Sequence, residues 1–168
     1  MAAIMIDKAM VQRVGLFSKL SPRELEAFLQ GAKEVPFKAG DEILTQGTVN
    51  GSLYIIADGV LHARRTGGRR NVLLARLEAG SFFGEMSLFD AAPTSASIQA
   101  ISDGTLIRIT REGIDQFIDH YPKAGASLLQ KLLKGIARRL RMADDRVTNA
   151  LLFGGLSTRG TAKSEETQ

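Results

Sequence analysis

A chain of 168 residues, 44% apolar and 24% charged, is long enough for one soluble domain with a real core. The absence of cysteine excludes a disulfide framework and a thiolate metal site, and two distant histidines, His62 and His120, argue against a zinc centre or a histidine-based triad. A net charge of +4 with a pI near 9.6 mildly favours acidic partners or phosphates without implying nucleic acid.

In chain order, "MAAIMIDKAMVQRVGLF" lacks the basic and apolar regions of a signal peptide, because Asp7 and Lys8 interrupt it. No apolar run reaches transmembrane length, so the expected location is the cytoplasm, with no membrane partner. "LSPRELEAFLQG" predicts a helix: Ser21 as N-cap, Pro22 at the first position, Glu24 completing a capping box, Leu25, Phe28 and Leu29 on one face and Gly31 as stop. From about Lys33 to Thr110, short β-rich runs ("EVPF", "EILTQG", "SLYIIA", "VLHARR", "NVLLARL", "SASIQAI", "TLIRIT") alternate with turn signals. Such spacing suggests a sandwich, jelly roll or barrel, with one hairpin turning at Gly67-Gly68.

After Thr110 the helical period returns. "REGIDQFIDHYP" predicts a short helix ending before Pro122. A longer helix follows from roughly Ala124 to Ala150, with Leu129, Leu133, Ile136, Leu140, Ala143, Val147 and Ala150 at heptad spacing. Two readings stay open: a helix packed on its own β-domain, or one that also pairs with a second copy. Residues 1–150 are expected to form one domain, and residues 151–168, ending in "STRGTAKSEETQ", a polar disordered tail.

The stretch "GSFFGEMSLFDAAPTSAS" carries the chemistry. Gly84 lets backbone approach a ligand, and the residues after it can form one helical turn whose first N–H groups face an anion. Glu85 can accept hydrogen bonds from sugar hydroxyls. Taken alone this signal is weak. The order "FSKLSPRELEAF", "AGDEILTQG", "SLYIIADGVL", "LEAGSFFGEMSLF", "APTSASIQA", "LIRITREGIDQFI", "LLQKLLKGIARRLR" resembles the cyclic nucleotide-binding domain family, found in catabolite activators, protein kinase A regulatory subunits and nucleotide-gated channels.

The resemblance covers about Gly15 to Arg141 and implies an α+β fold: an eight-stranded jelly roll flanked by N-terminal helices and a long C-terminal lid helix. It implies a phosphate-binding cassette from Phe83 to Ala96, in which Glu85 holds a ribose hydroxyl beside Gly84 and the amides of Met86 and Ser87 hold a cyclic phosphate. Ser95 matches a small or hydroxyl residue near phosphate or base, and Gly40, Gly47 and Gly59 match turn glycines. The long helix, through Leu129, Leu133, Ile136, Leu140 and Val147, matches the lid that often dimerises.

One position departs. Where the family carries an arginine for the cyclic phosphate, this chain reads Pro93-Thr94-Ser95-Ala96, and the turn glycine before the proline is missing in "DAAP". Losing a bidentate guanidinium costs about two to four orders of magnitude in affinity. Three accounts fit: weak binding of cAMP or cGMP through amides and the Thr94 and Ser95 hydroxyls; a changed ligand or an arginine from elsewhere; or a ligand-free protein-interaction scaffold. Substitute cations are Arg64, Arg65, Arg69 and Arg70 on the hairpin and Arg138, Arg139 and Arg141 on the long helix, the helix group being favoured because its counterpart lids the pocket.

No P-loop, HExxH, GxSxG or cysteine motif is present, so no enzyme is expected and no cofactor is required. With only a short tail after the long helix, the chain reads as a free-standing sensor or adaptor. It is expected to signal through a homodimer on the C-terminal helix or a regulatory protein partner, with no specific nucleic acid.

Overall fold

The computed structural model describes Val11 and residues 14–153. They fall into two compact units, one ending at Lys131 and one beginning at Leu132.

From residue 14 onward, the first unit has a helical turn at Gly15–Phe17 followed by helix α1 (Pro22–Gln30). The punctuation read from sequence is present: the Glu24 amide donates to the Ser21 hydroxyl, the Ser21 amide donates to the Glu24 carboxylate, and the chain stops at Gly31. Eight strands follow: β1 (Ala32–Phe37), β2 (Glu42–Leu44), β3 (Ser52–Asp58), β4 (Val60–Gly67), β5 (Arg70–Glu78), β6 (Phe82–Phe83), β7 (Ser97–Ala100) and β8 (Gly104–Thr110). Helix α2 (Glu85–Asp90) interrupts them between β6 and β7. Helix α3 (Arg111–His120) and helix α4 (Pro122–Phe153) close the chain.

The strands form two antiparallel four-stranded sheets, ordered β1-β8-β3-β6 and β2-β7-β4-β5. The non-sequential order is that of a jelly roll, as the family resemblance implies. Between the sheets lies a core of Phe37, Tyr54, Ile56, Leu61, Leu77, Phe83, Ile98, Ala100 and Leu106. Strand β3 is buried from Ser52 to Ala57 because both its faces are covered, which explains its unbroken apolar run.

A second apolar layer involves the helices. Phe28 of α1 sits 5.0 Å from Phe17 and 5.4 Å from Phe117 of α3. Gly113 lets α3 approach closely, since a Cβ there would lie 2.9 Å from Ile109 Cγ1 on β8 and 3.1 Å from the Gly31 carbonyl. Burying a side chain such as Phe28 completely contributes about 1.5–3 kcal/mol.

Two details differ from the sequence expectation. The hairpin register pairs Gly67 with Arg70, so the turn residues are Gly68-Arg69 rather than Gly67-Gly68, and Gly68 takes the positive φ of 60°. Strand β6 has only two residues, too few to show alternation.

Helix α4 runs to Phe153, three residues past the expected Ala150, and the rest of the tail, residues 154–168, lies outside the described residues. In the first unit α4 buries Ala124 and Leu128, while Leu129 of the expected seam is half-buried. Paired leucines leave the sequence pattern open to either face. In the second unit the helix exposes Leu133, Leu140 and Val147 by 65%, 62% and 60%, with Ile136 half-buried. Among the described residues no helix is long and apolar enough to cross a membrane.

Candidate functional site

The cassette begins where β6 leaves the core. Phe83 stacks on Tyr54 with ring centroids 5.1 Å apart and planes 5° from parallel. Gly84 then turns with φ +87°, and a Cβ there would lie 2.6 Å from the Ser52 carbonyl and 2.7 Å from Asn50 Nδ2. Only glycine fits that combination of left-handed backbone and close approach. The Leu88 amide donates to the Gly84 carbonyl at 3.2 Å, closing the first turn of α2. Glu85 is buried at 3% exposure, Ser87 is buried, and Met86 is exposed. At the start of any helix the first amides lack intrahelical acceptors, and here they belong to Glu85, Met86 and Ser87.

Asn50 holds this corner together and was not singled out from sequence. Its buried amide donates to the Ser52 carbonyl at 2.6 Å and the Gly84 carbonyl at 3.4 Å, and its oxygen accepts from the Ser52 amide at 3.2 Å. "TVNG" falls in the break between β2 and β3 as its composition suggests, but the reach of Asn50 to residue 84 is a tertiary contact.

The far end of the cassette is latched to the β2–β3 loop. Pro93 pairs with Val49 in an isolated bridge, the Thr94 amide donates to the Thr48 carbonyl at 2.8 Å, and the Gly47 amide donates to the Thr94 carbonyl at 2.9 Å. The Thr94 hydroxyl donates to the Thr45 carbonyl at 2.6 Å. Its single proton is therefore committed within the protein, and Thr94 is buried at 7% exposure. Ser95 is exposed and Ala96 half-buried. Ala91 caps α2 with φ 51°, left-handed for a residue carrying a Cβ.

Arg111 ties α2 to α3. Its Nη1 donates to the Leu88 carbonyl at 3.3 Å, its Nε donates to Asp115 Oδ1 and Oδ2 at 3.1 and 3.0 Å, and its guanidinium lies 5.3 Å from the Phe89 ring. The Arg111–Asp115 spacing is legible as a helical i,i+4 pair, whereas the contact with Leu88 is not.

Of the candidate cations, Arg65, Arg69 and Arg70 are exposed on the hairpin. Arg64 is half-buried, its Nη2 is 3.4 Å from His62 Nδ1, and its buried Nε has no hydrogen-bond partner. Arg138 and Arg141 are exposed and Arg139 half-buried on α4, all within the second unit. A cleft of about 350 Å³ lies elsewhere, lined by Val35, Phe37, Asp41, Glu42, Tyr54 and Arg108, and shares no residue with the cassette. Among the described residues no cluster could hold a metal ion.

The family profile for the cyclic nucleotide-binding domain matches residues 34–121, more than half of the chain. The cyclic AMP receptor protein of Thermus thermophilus is 37% identical over 131 residues, which cover 77% of this chain and 58% of that protein. The crystal structure of the Thermus thermophilus catabolite activator protein superposes with a TM-score of 0.69 at 36% identity, covering 79% of this chain and 61% of that one. A cyclic nucleotide-binding domain from Methylobacillus flagellatus gives 0.74 at 26% identity, covering 83% and 79%. This chain therefore spans about three fifths of the length of the Thermus proteins. With the jelly roll, the left-handed Gly84 and the buried Glu85 in place, the chain belongs to the cyclic nucleotide-binding domain family.

Proposed function

We propose that the chain is a non-enzymatic regulatory domain whose cassette takes a cyclic nucleotide, cAMP or cGMP, with low affinity, and whose C-terminal helix relays occupancy to a partner. The observation that carries this reading is the corner at Gly84, where a left-handed glycine, a short helix and buried Glu85 come together in a cassette without arginine; in this reading Thr94 takes the place of the family's arginine. The ligand contacts in this reading are Gly84 and Glu85 with the ribose, the Met86 and Ser87 amides with the phosphate, and Ser95 and Ala96 at the rim. Thr94 supplies the latch rather than a charge.

Calorimetry with cAMP, cGMP and cyclic dinucleotides tests the reading, using the native chain and Thr94→Arg. Binding by the native chain, strengthened in Thr94→Arg, supports it; no binding by either sinks it. In the relay, ligand occupancy changes the helix from about Ala124 onward. Hydrogen exchange with and without ligand should differ along α4, and identical protection would refute the relay.

The exposed Leu133, Leu140 and Val147 favour a second reading, a scaffold that has lost nucleotide binding and uses this stripe for a second copy or a regulatory protein. Light scattering separates the pairing: Leu133→Asp and Leu140→Asp should convert a dimer to a monomer.

A further inference from the structure

The cassette retains a buried carboxylate and has no arginine of its own, so an anionic ligand needs a cation from another element. Strand β4 brings one alongside. It pairs with β7 in regular register, Leu61 opposite Ala100, Ala63 opposite Ile98 and Arg64 opposite Ser97. The ladder ends at that pair, so Arg65 is the first residue of β4 beyond it, just as Ala96, the last residue of the cassette, is the residue before Ser97.

Alternation decides which face Arg65 uses. Leu61, Ile98 and Ala100 belong to the core between the sheets, and Ala63 packs against it. His62 and Arg64 lie on the other face, where their side chains meet at 3.4 Å. Arg65 therefore shares the inner face with Leu61 and Ala63, one step beyond the last apolar residue and beside the cassette's end.

Its backbone is also held there. The Thr66 amide donates to Gln46 Oε1 at 2.8 Å, Gln46 Nε2 donates to the Thr66 carbonyl at 3.1 Å, and the Gln46 amide donates to Ser97 Oγ at 2.9 Å. One glutamine thus clips the residue after Arg65 to the residue after Ala96. Arg65 forms no ion pair among the described residues, and the hairpin contains no carboxylate between Asp58 and Glu78.

We infer that Arg65 supplies the positive charge the cassette lacks, so that the cyclic phosphate of a bound nucleotide lies between the Arg65 guanidinium and the end of the cassette. The inference rests on the proposed nucleotide-binding function, and it replaces the favoured helix arginines with one on the strand paired to the cassette. The test is calorimetry of the full chain with cAMP and cGMP. Arg65→Gln should weaken binding about 10- to 100-fold, the loss of one or two charge-assisted hydrogen bonds, with Arg65→Lys between the two. Arg69→Gln, which removes the same charge at the turn, should change affinity less than about 2-fold.

Restoring a cassette arginine in Arg65→Gln/Thr94→Arg should recover affinity, and unliganded Arg65→Gln should melt with the native chain. If the native chain binds and Arg65→Gln binds equally well, the inference fails while the nucleotide reading stands. Equal weakening by Arg65→Gln and Arg69→Gln would reduce the effect to general charge and also overturn it. No binding of either nucleotide by the native chain removes the nucleotide reading and the role of Arg65 with it.

Discussion

Replacing Thr94 by valine tests whether this residue serves the fold or the ligand. Valine keeps the outline of threonine and deletes the donor. The lost bond runs from the Thr94 hydroxyl to the Thr45 carbonyl at 2.6 Å, at a site only 7% exposed. That carbonyl also accepts from the Thr48 amide at 3.2 Å and the Thr48 hydroxyl at 2.7 Å, so it is not orphaned by the change. The larger penalty for a stranded buried acceptor is therefore absent, and the expected cost is that of one neutral hydrogen bond, about 0.5–1.5 kcal/mol. For a domain of this size that lowers Tm by about 2–4 °C per kcal/mol. Urea and thermal unfolding measure it directly. A parallel cAMP titration should show less than about a 3-fold change in affinity, because a proton already given to Thr45 is not available to an anion. Unaltered stability with a tenfold loss of affinity would refute this reasoning and return the hydroxyl to the ligand.

Gly84→Ala should destabilise the chain by about 3–5 kcal/mol, combining left-handed strain with overlap against Ser52 and Asn50, and urea unfolding within 1 kcal/mol of the native chain would refute it. Ala91→Gly should instead stabilise by about 0.5–1 kcal/mol, because relief at φ 51° exceeds the added entropy of unfolded glycine; a lower Tm would contradict this. The Ser21 amide and hydroxyl hold the Glu24 carboxyl below its ordinary value. Its contribution is full above the unfolded carboxylate value and fades as pH falls through the lower folded value. Native chain and Glu24→Gln should thus differ in Tm at neutral pH and converge in acid, by a small amount because the pair is exposed; a gap that persists in acid would count against the bond.

The sequence alone carried the helix–roll–helix order, because helix caps, turn glycines and apolar period are local properties. Ser21, Glu24 and Gly31 act where their spacing put them, and Gly40, Gly47 and Gly59 take the positive φ of turns. The Gly84-Glu85 pair was readable for the same reason, and so was the absence of any arginine between Phe83 and Ala96.

Contacts between residues far apart in the chain were decided by the tertiary structure. Asn50 reaches Gly84, Thr94 gives its proton to Thr45, and Arg111 grips the end of α2. The two-residue β6 exists because the edge of β3 offers it a ladder at Tyr54 and Ile55. Sequence reasoning ranked the arginines of the long helix above those of the hairpin, since composition does not say which strands will be neighbours. The inferred role of Arg65 rests on the pairing of β4 with β7, which separates it from Arg64 because residues one step apart on a strand face opposite sides of the sheet.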